Sequence, residues 1–109
     1  MNANVQTVQR SNVSTFTLSP DAFLEKLLTI PSPSGGEDIF ADYLVTQMRK
    51  LGFLAHRDEA GNAIGSVGNP DAETEIVLLG HMDTVPGFIP VHWEDGKLYG
   101  RGAVDAKGP

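Results

Sequence analysis

One histidine and two aspartates are the residues of this chain best suited to chemistry. His81 and Asp83 directly follow the apolar run at residues 76–79, and Asp105 lies further on, beyond a predicted hairpin. Residues two apart in extended backbone point the same way, so we expect His81 and Asp83 to face one side. A neutral imidazole binds zinc-like metals, and a nearby carboxylate can orient it. The spacing therefore indicates a metal site, with a strand-end histidine making one hydrogen bond as the alternative.

The segment that precedes this histidine must position it. Residues 75–79 read as a strand buried on both faces, as in the central part of an α/β sheet. Sites in open α/β sheets form beyond the carboxyl ends of such strands. The pattern therefore predicts His81 and Asp83 at a functional edge of the sheet.

Two amphipathic helices are predicted before the strands. Ser19 is a suitable cap for the first helix and Pro20 suits its first turn, whereas the prolines after Ile30 should end it. Its apolar stripe consists of Phe23, Leu24, Leu27 and Leu28. Ser34 and Glu37 have the spacing of a capping box for the second helix, which Gly52 should terminate. The predicted buried face of the second helix consists of Ile39, Phe40, Tyr43, Leu44, Met48 and Leu51.

Short strands should follow these helices. Residues 53–57 and 63–67 are predicted strands joined by a Gly61-Asn62 turn, and residues 91–99 are a predicted hairpin with Asp95-Gly96 at its tip. Trp93 and Tyr99 are expected to pack across that hairpin.

The order of these elements predicts the fold class and the domain limits. Helices followed by strands of mixed character indicate a three-layer α/β/α domain with a mixed sheet. This domain is predicted to cover residues 19–109. Residues 1–18 are predicted to be a flexible lead-in, with an edge strand at residues 13–18 as the alternative.

Composition excludes several classes of function. The 109 residues carry a net charge of −6, which disfavours nucleic acid and anionic membrane surfaces as partners. There is no cysteine, which excludes disulfides, thiolate metal sites and a cysteine nucleophile within these residues. The polar N-terminal segment lacks the apolar core of a signal peptide, so a cytoplasmic location is expected.

Three stretches of the sequence resemble a known family. They are IPSPSGGE at residues 30–37, GHMDTVP at residues 80–86 and YGRGAVDAKG at residues 99–108. Together they resemble the zinc aminoacylase and carboxypeptidase metallohydrolases, which include acetylornithine deacetylase and succinyl-diaminopimelate desuccinylase. The last stretch is most similar to the branch that releases lysine or ornithine from an N-acylated precursor in amino-acid biosynthesis.

The resemblance implies a role for each candidate residue. His81 would bind one metal ion, and Asp105 would bridge both ions of a centre of two zinc (or cobalt) ions. Asp83 would hold and polarise His81 as the catalytic residue, and the peptide bond after Asp105 would be cis. Lys107 would lead into a helix. The expected reaction is the metal-dependent hydrolysis of an amide bond in a small N-acyl amino acid or peptide.

The family's general base and remaining metal ligands would follow further along the chain. We therefore expect these residues to be the N-terminal portion of a longer catalytic domain, with a separate lid domain and a homodimeric full-length protein. An inactive fragment or binding module is one alternative, and a dipeptidase or carboxypeptidase of the same family is another. Arg101 is expected to anchor its loop, with binding of a substrate carboxylate as the alternative.

Overall fold

A computed structural model describes residues 18–109 of the chain. Residues 1–17, which hold nearly all of the predicted lead-in and of its edge-strand alternative, lie outside the described part of the chain. The elements are helix α1 (Pro20–Leu28), helix α2 (Asp38–Lys50), and strands β1 (Leu54–Arg57), β2 (Ala63–Ser66), β3 (His92–Glu94) and β4 (Lys97–Tyr99). Neither described helix is long and apolar enough to cross a membrane.

Helix α1 forms where its capping residues predict it. The Ser19 hydroxyl accepts a hydrogen bond from the backbone N–H of Ala22 at 3.2 Å, so it satisfies one of the open donors of the first turn. Leu27 and Leu28 are the buried residues of this helix, 8% and 5% exposed. The predicted start of the helix and its apolar stripe are therefore confirmed at these positions.

Helix α2 forms as predicted, but its predicted capping box is wrong. Glu37 occupies the N-cap position and makes no side-chain capping bond. The Ser34 hydroxyl instead donates to a carboxylate oxygen of Asp83 at 2.6 Å. Helix α2 begins at Asp38 with Glu37 as its N-cap, so Ser34 lies before the capping position and its hydroxyl is directed to the carboxylate.

The buried face of α2 differs in part from the predicted one. Phe40, Ala41 and Val45 are buried, whereas Ile39 is 75% exposed and Leu51 is 48% exposed. The helix packs against strands β1 and β2. A two-stranded sheet covers only a narrow stripe of a helix, so the residues at the flanks of the stripe remain in solvent.

Strands β1 and β2 pair in antiparallel fashion, with His56 opposite Ile64. The Arg49 Nε group of α2 donates to the Ala55 carbonyl at 3.0 Å, and the Arg57 guanidinium contacts Asp42 at 2.9 Å. These contacts join α2 to the first described hairpin, which β1 and β2 form.

The second hairpin confirms its predicted turn and corrects its predicted aromatic pair. Asp95 and Gly96 both have positive φ angles, 52° and 76°, as a type I′ turn requires. Tyr99 pairs with His92 in this register, and their rings stack 4.9 Å apart. Trp93 instead donates from Nε1 to Glu25 of α1 at 3.0 Å. The predicted Trp93–Tyr99 pair is wrong because Trp93 is opposite Leu98, so the neighbouring Tyr99 lies on the other face of the hairpin.

The predicted central strand is the main difference between prediction and structure. Residues 75–79 form no strand among the described residues, and Ile76, Val77, Leu78 and Leu79 are 83%, 65%, 91% and 92% exposed. No neighbouring strand within residues 18–109 supplies hydrogen-bonding partners or covers these side chains. The described residues contain both helices and strands, in agreement with the predicted α/β class. Both described sheets are two-stranded and antiparallel, so the predicted three-layer arrangement with a mixed sheet is not confirmed.

Asp58 accepts several hydrogen bonds in the turn of the first hairpin, and these bonds predict a stability that depends on pH. Its carboxylate accepts from the Asn62 side chain at 2.9 Å and from the backbone N–H groups of Asn62 and Ala60 at 2.8 and 3.0 Å. These bonds, chiefly the one from the Asn62 side chain, lower the pKa of Asp58. A carboxyl group with a lowered pKa stabilises the fold above its ordinary pKa, and this contribution is lost as the pH falls through the lowered value.

We expect Asp58→Ala to lower the melting temperature by a few degrees near neutral pH. The difference from the unsubstituted protein should shrink as the pH falls below about 4, because the carboxylate then becomes protonated. Thermal unfolding followed by circular dichroism across this pH range measures both effects. Glu59→Ala removes one charge from the same turn and serves as the control. An equal difference at acid and neutral pH would contradict the assignment.

Candidate metal centre

The segment after α1 clamps the segment that carries His81. The backbone N–H of Thr84 donates to the Ser32 carbonyl at 2.8 Å, and Pro33 and Thr84 form a parallel bridge. The Ser32 hydroxyl donates to the Met82 carbonyl at 2.7 Å, and Ser32 itself is 0% exposed. Residues 32–34 therefore act as a short strand that fixes the backbone on both sides of Asp83, and we call this contact the serine clamp.

Ser34 extends the clamp to the site itself. Its hydroxyl donates to Oδ2 of Asp83 at 2.6 Å, and this bond is the main cause of the lowered pKa of that carboxyl. The other oxygen, Oδ1, lies 3.1 Å from Nδ1 of His81, and the Asp83 carbonyl lies 3.0 Å from the same nitrogen. Asp83 thus remains ionised and holds one side of the imidazole, as expected for a carboxylate that orients a metal-binding histidine.

The second nitrogen of the imidazole faces the third candidate residue. His81 Nε2 lies 2.9 Å from Oδ1 of Asp105, so the structure brings together all three predicted site residues. The peptide bond between Asp105 and Ala106 is cis, as the resemblance implied. The hydrogen bond to Asp105 and then the one to the Asp83 carbonyl raise the pKa of His81. The two carboxylates beside the imidazole of His81 therefore favour its protonated, positively charged form.

Glycine is required where the Asp105 loop passes the clamp. Gly102 has a positive φ of 86°, and a Cβ atom at this position would lie 2.7 Å from the Thr84 side chain. Such a contact is far inside normal carbon separation, so any side chain here would push the loop away from residues 82–84. The absence of a side chain therefore permits the close approach that brings Asp105 to His81.

A cleft of about 660 Å³ opens beside these residues. Its lining includes His81, Asp83 and Asp105, together with apolar side chains such as Ile89 and Leu98. Arg101 also lines the cleft, and its Nε donates to the Gly87 carbonyl at 3.3 Å, in agreement with the predicted loop-anchoring role.

The other two histidines lie outside the cleft. His56 is exposed on β1, and His92 contacts the Pro90 carbonyl and Glu94 in the second hairpin. Neither was predicted to be a ligand.

The donor atoms suit zinc, although they are few. An imidazole nitrogen and a carboxylate oxygen are both ordinary zinc ligands, and a separation of 2.9 Å between them is short enough for both to contact one cation. Within residues 18–109, no group of three or more His, Cys, Asp or Glu side chains could hold a metal ion. The site therefore fits part of a metal centre, since catalytic zinc generally has three protein ligands.

The sequence patterns missed the functional contacts of Ser32, Ser34 and Lys107. The two serines lie in a proline-rich loop, and the sequence pattern predicted only that Ser34 caps a helix. The only signal for them was the similarity of residues 30–37 to the family's pattern. Lys107 donates from Nζ to the carbonyls of Leu27 and Ile30, contacts that nothing in its own neighbourhood of the sequence indicates.

Comparison with known proteins gives a consistent result. Residues 77–109 match the family described as peptidase family M20/M25/M40. The chain is 48% identical over 87 residues to a putative LysW-lysine/LysW-ornithine hydrolase of Pyrococcus furiosus. The aligned region covers 80% of this chain and 26% of that protein. The chain is also 48% identical over 98 residues to the LysW-lysine hydrolase of Deinococcus radiodurans, covering 84% of this chain and 26% of the relative. The chain thus spans about a quarter of the length of these relatives.

The serine clamp predicts a stability defect for Ser32→Ala. The substitution removes the donor to the Met82 carbonyl from a position that solvent does not reach, so we expect a loss of about 1–3 kcal/mol in the free energy of unfolding. Urea denaturation measures the loss. Ser66→Ala, at an exposed position on β2, is the control and should have little effect. Equal stability of the Ser32 variant and the unsubstituted protein would show that the clamp does not contribute.

Ser34→Ala should affect the site rather than the fold. Ser34 is exposed, but its hydroxyl orients Asp83 and, through it, the imidazole. We expect Co²⁺ to bind the full-length product about 10-fold more weakly, because supporting groups of this kind typically contribute that much to metal affinity. Ser34→Thr keeps the hydroxyl and should restore binding. Titration of the cobalt absorption bands measures affinity, and unchanged affinity in the alanine variant would exclude this role.

Proposed function

We propose that this chain, whose residues 77–109 carry the pattern of peptidase family M20/M25/M40, contributes half of a two-metal amide hydrolase site. The family resemblance predicted from the three motifs is confirmed by the matches to that family and to the named hydrolases. The observation that carries the proposal is the convergence of His81 Nε2 and the Asp105 carboxylate, which lie 2.9 Å apart in the lining of the cleft.

Each of the three residues would have a distinct role. His81 would bind one divalent ion through Nε2, and the two oxygens of Asp105 would allow it to bridge that ion and a second one. Asp83 would hold Nδ1 of His81, fix the orientation of the ring and increase its basicity. Zinc or cobalt ions bound here would polarise the amide carbonyl and lower the pKa of a bound water.

The remaining parts of the site would come from elsewhere in the full-length protein. His81 and Asp105 are two ligands, so the further ligands and the general base must lie outside residues 18–109 in this proposal. Residues 75–79 would then be a central strand of a three-layer α/β/α domain. Pairing with strands from the remaining sequence would cover Ile76, Val77, Leu78 and Leu79, whose exposure would otherwise be costly.

The substrate would be a lysine or ornithine whose amino group carries an acyl group. The support is the similarity to relatives whose names specify LysW-lysine and LysW-ornithine hydrolysis. The reaction would release the amino acid as a step of lysine or arginine biosynthesis. The enzyme would be a homodimer and would act in the cytoplasm. The apolar wall of the cleft, with Ile89 and Leu98, would pack against the aliphatic part of the substrate.

The full-length product tests this proposal. We expect zinc- or cobalt-dependent release of lysine from LysW-lysine or from N-acetyl-lysine, and His81→Ala should reduce it by more than about 100-fold by removing a metal ligand. His56→Ala removes an exposed histidine outside the cleft and should leave the activity unchanged.

Isothermal titration with zinc in the same proteins separates binding from catalysis. Metal binding without activity on acyl amino acids, but with cleavage of dipeptides, would favour a dipeptidase of the same family. Absence of metal binding and of activity on both substrate classes would leave a binding module as the remaining interpretation.

A further inference from the structure

Lys107 links the loop that carries Asp105 to the end of helix α1. Its Nζ donates to the carbonyl of Ile30 at 2.6 Å and to the carbonyl of Leu27 at 3.2 Å. These residues precede Lys107 by 77 and 80 positions, so the contact is a product of the tertiary structure. A lysine that extends along the protein to reach two carbonyls is directed inward, unlike a lysine on a solvated surface.

The end of α1 is a favourable site for this cation. The Leu27 carbonyl lies in the last turn of α1, at the negative end of the helix dipole, and this position favours a cation, whereas partial burial of the Lys107 ammonium group lowers its pKa. Nζ also lies 4.2 Å from the centre of the Phe40 ring, within the range of a cation–π interaction. Phe40 is 3% exposed, so the lysine is held against the core of the described residues.

The backbone of Lys107 closes the turn that contains Asp105. Its N–H donates to the Gly102 carbonyl at 2.8 Å, so residues 102–107 form a closed turn. The Asp105 side chain is 85% exposed, and little packing restrains it. Its distance from His81 therefore depends on where the closed turn is held, and the Lys107 side chain joins that turn to the rigid end of a helix.

We propose that Lys107 is a positioning residue that sets the Asp105 carboxylate against His81 by anchoring the Asp105 turn to the end of α1. The consequence for metal binding rests on the proposed function, whereas the anchoring itself is a property of the metal-free protein. Because the side chain ends at the Ile30 and Leu27 carbonyls rather than in the cleft, it would act through the backbone and would not touch the substrate.

The anchoring is tested first without metal. Lys107→Met keeps an unbranched side chain of similar length and removes the ammonium group, whereas Lys107→Arg keeps the positive charge and the donors. We expect the backbone N–H at position 107 to exchange with solvent at least about 10-fold faster in Lys107→Met, because the turn opens locally more often. Lys107→Arg should be close to the unsubstituted protein. The Thr84 N–H, which the serine clamp protects, should keep its exchange rate in both variants.

Lys26→Met is the matched control. Lys26 lies in the last turn of the same helix, and its replacement removes one positive charge without affecting the Asp105 turn. Exchange at position 107 should be unchanged in this variant. Equal exchange in Lys107→Met and the unsubstituted protein would overturn the proposal. Faster exchange at both position 107 and Thr84 would also overturn it, because Lys107 would then be a general stability residue.

Cobalt binding then connects the anchor to the site. In the full-length product, we expect Lys107→Met to weaken Co²⁺ binding about 10-fold, with recovery in Lys107→Arg and no change in Lys26→Met. Full affinity in Lys107→Met would refute the link to Asp105. If the unsubstituted protein binds no Co²⁺, the proposed function fails, and the exchange measurements still decide whether Lys107 anchors the turn.

Discussion

The candidate site depends on the pairing of residues 32–34 with residues 82–84. The serine clamp joins two segments that are about fifty positions apart, and its central residue, Ser32, is fully buried. Its backbone bond fixes Thr84, its hydroxyl bond fixes Met82, and Ser34 fixes the carboxylate of Asp83 between them. A loop that would otherwise have many conformations is therefore held on both sides of the residue that orients His81. The entropy cost of ordering such a loop is offset by contacts that also assemble the site.

The electrostatics of the site favour positive charge beside His81. His81 lies between two carboxylates, and its raised pKa shows that this arrangement favours positive charge on the ring. A metal ion at Nε2 would supply positive charge between His81 and Asp105, whose nearest side-chain atoms lie 2.9 Å apart. Asp83 differs from Asp105 in that Ser34 already stabilises its charge by a hydrogen bond. The two carboxylates therefore have different surroundings, one held on the protein side and the other exposed to the cleft.

Apolar side chains are buried in one part of the described chain and exposed in another. The buried apolar residues belong to α1, α2 and β1, whereas Ile76, Val77, Leu78 and Leu79 are exposed next to the site. A fold usually covers such a run, since each large apolar side chain gains roughly 1.5–3 kcal/mol from burial. This contrast agrees with the fact that the chain spans about a quarter of the length of its named relatives. The side of the candidate site formed by the clamp is well packed, and the side next to residues 76–79 is open.

Local features of the chain could be predicted from its sequence. The Ser19 cap, the helix limits set by proline and glycine, and the Asp95-Gly96 turn depend on residues within a few positions of one another, so their patterns could be recognised. The three site residues were predicted because their motifs resemble those of a known family. By contrast, the binding of Ser34 to Asp83 and the contact of Lys107 with the end of α1 could be seen only in the folded chain. Those contacts join residues 49–80 positions apart, and no local pattern specifies which distant acceptor a hydroxyl or an ammonium group will meet. Residues 75–79 form no strand among the described residues for a related reason, because a strand needs a neighbour and a sequence pattern describes only one side of the pair.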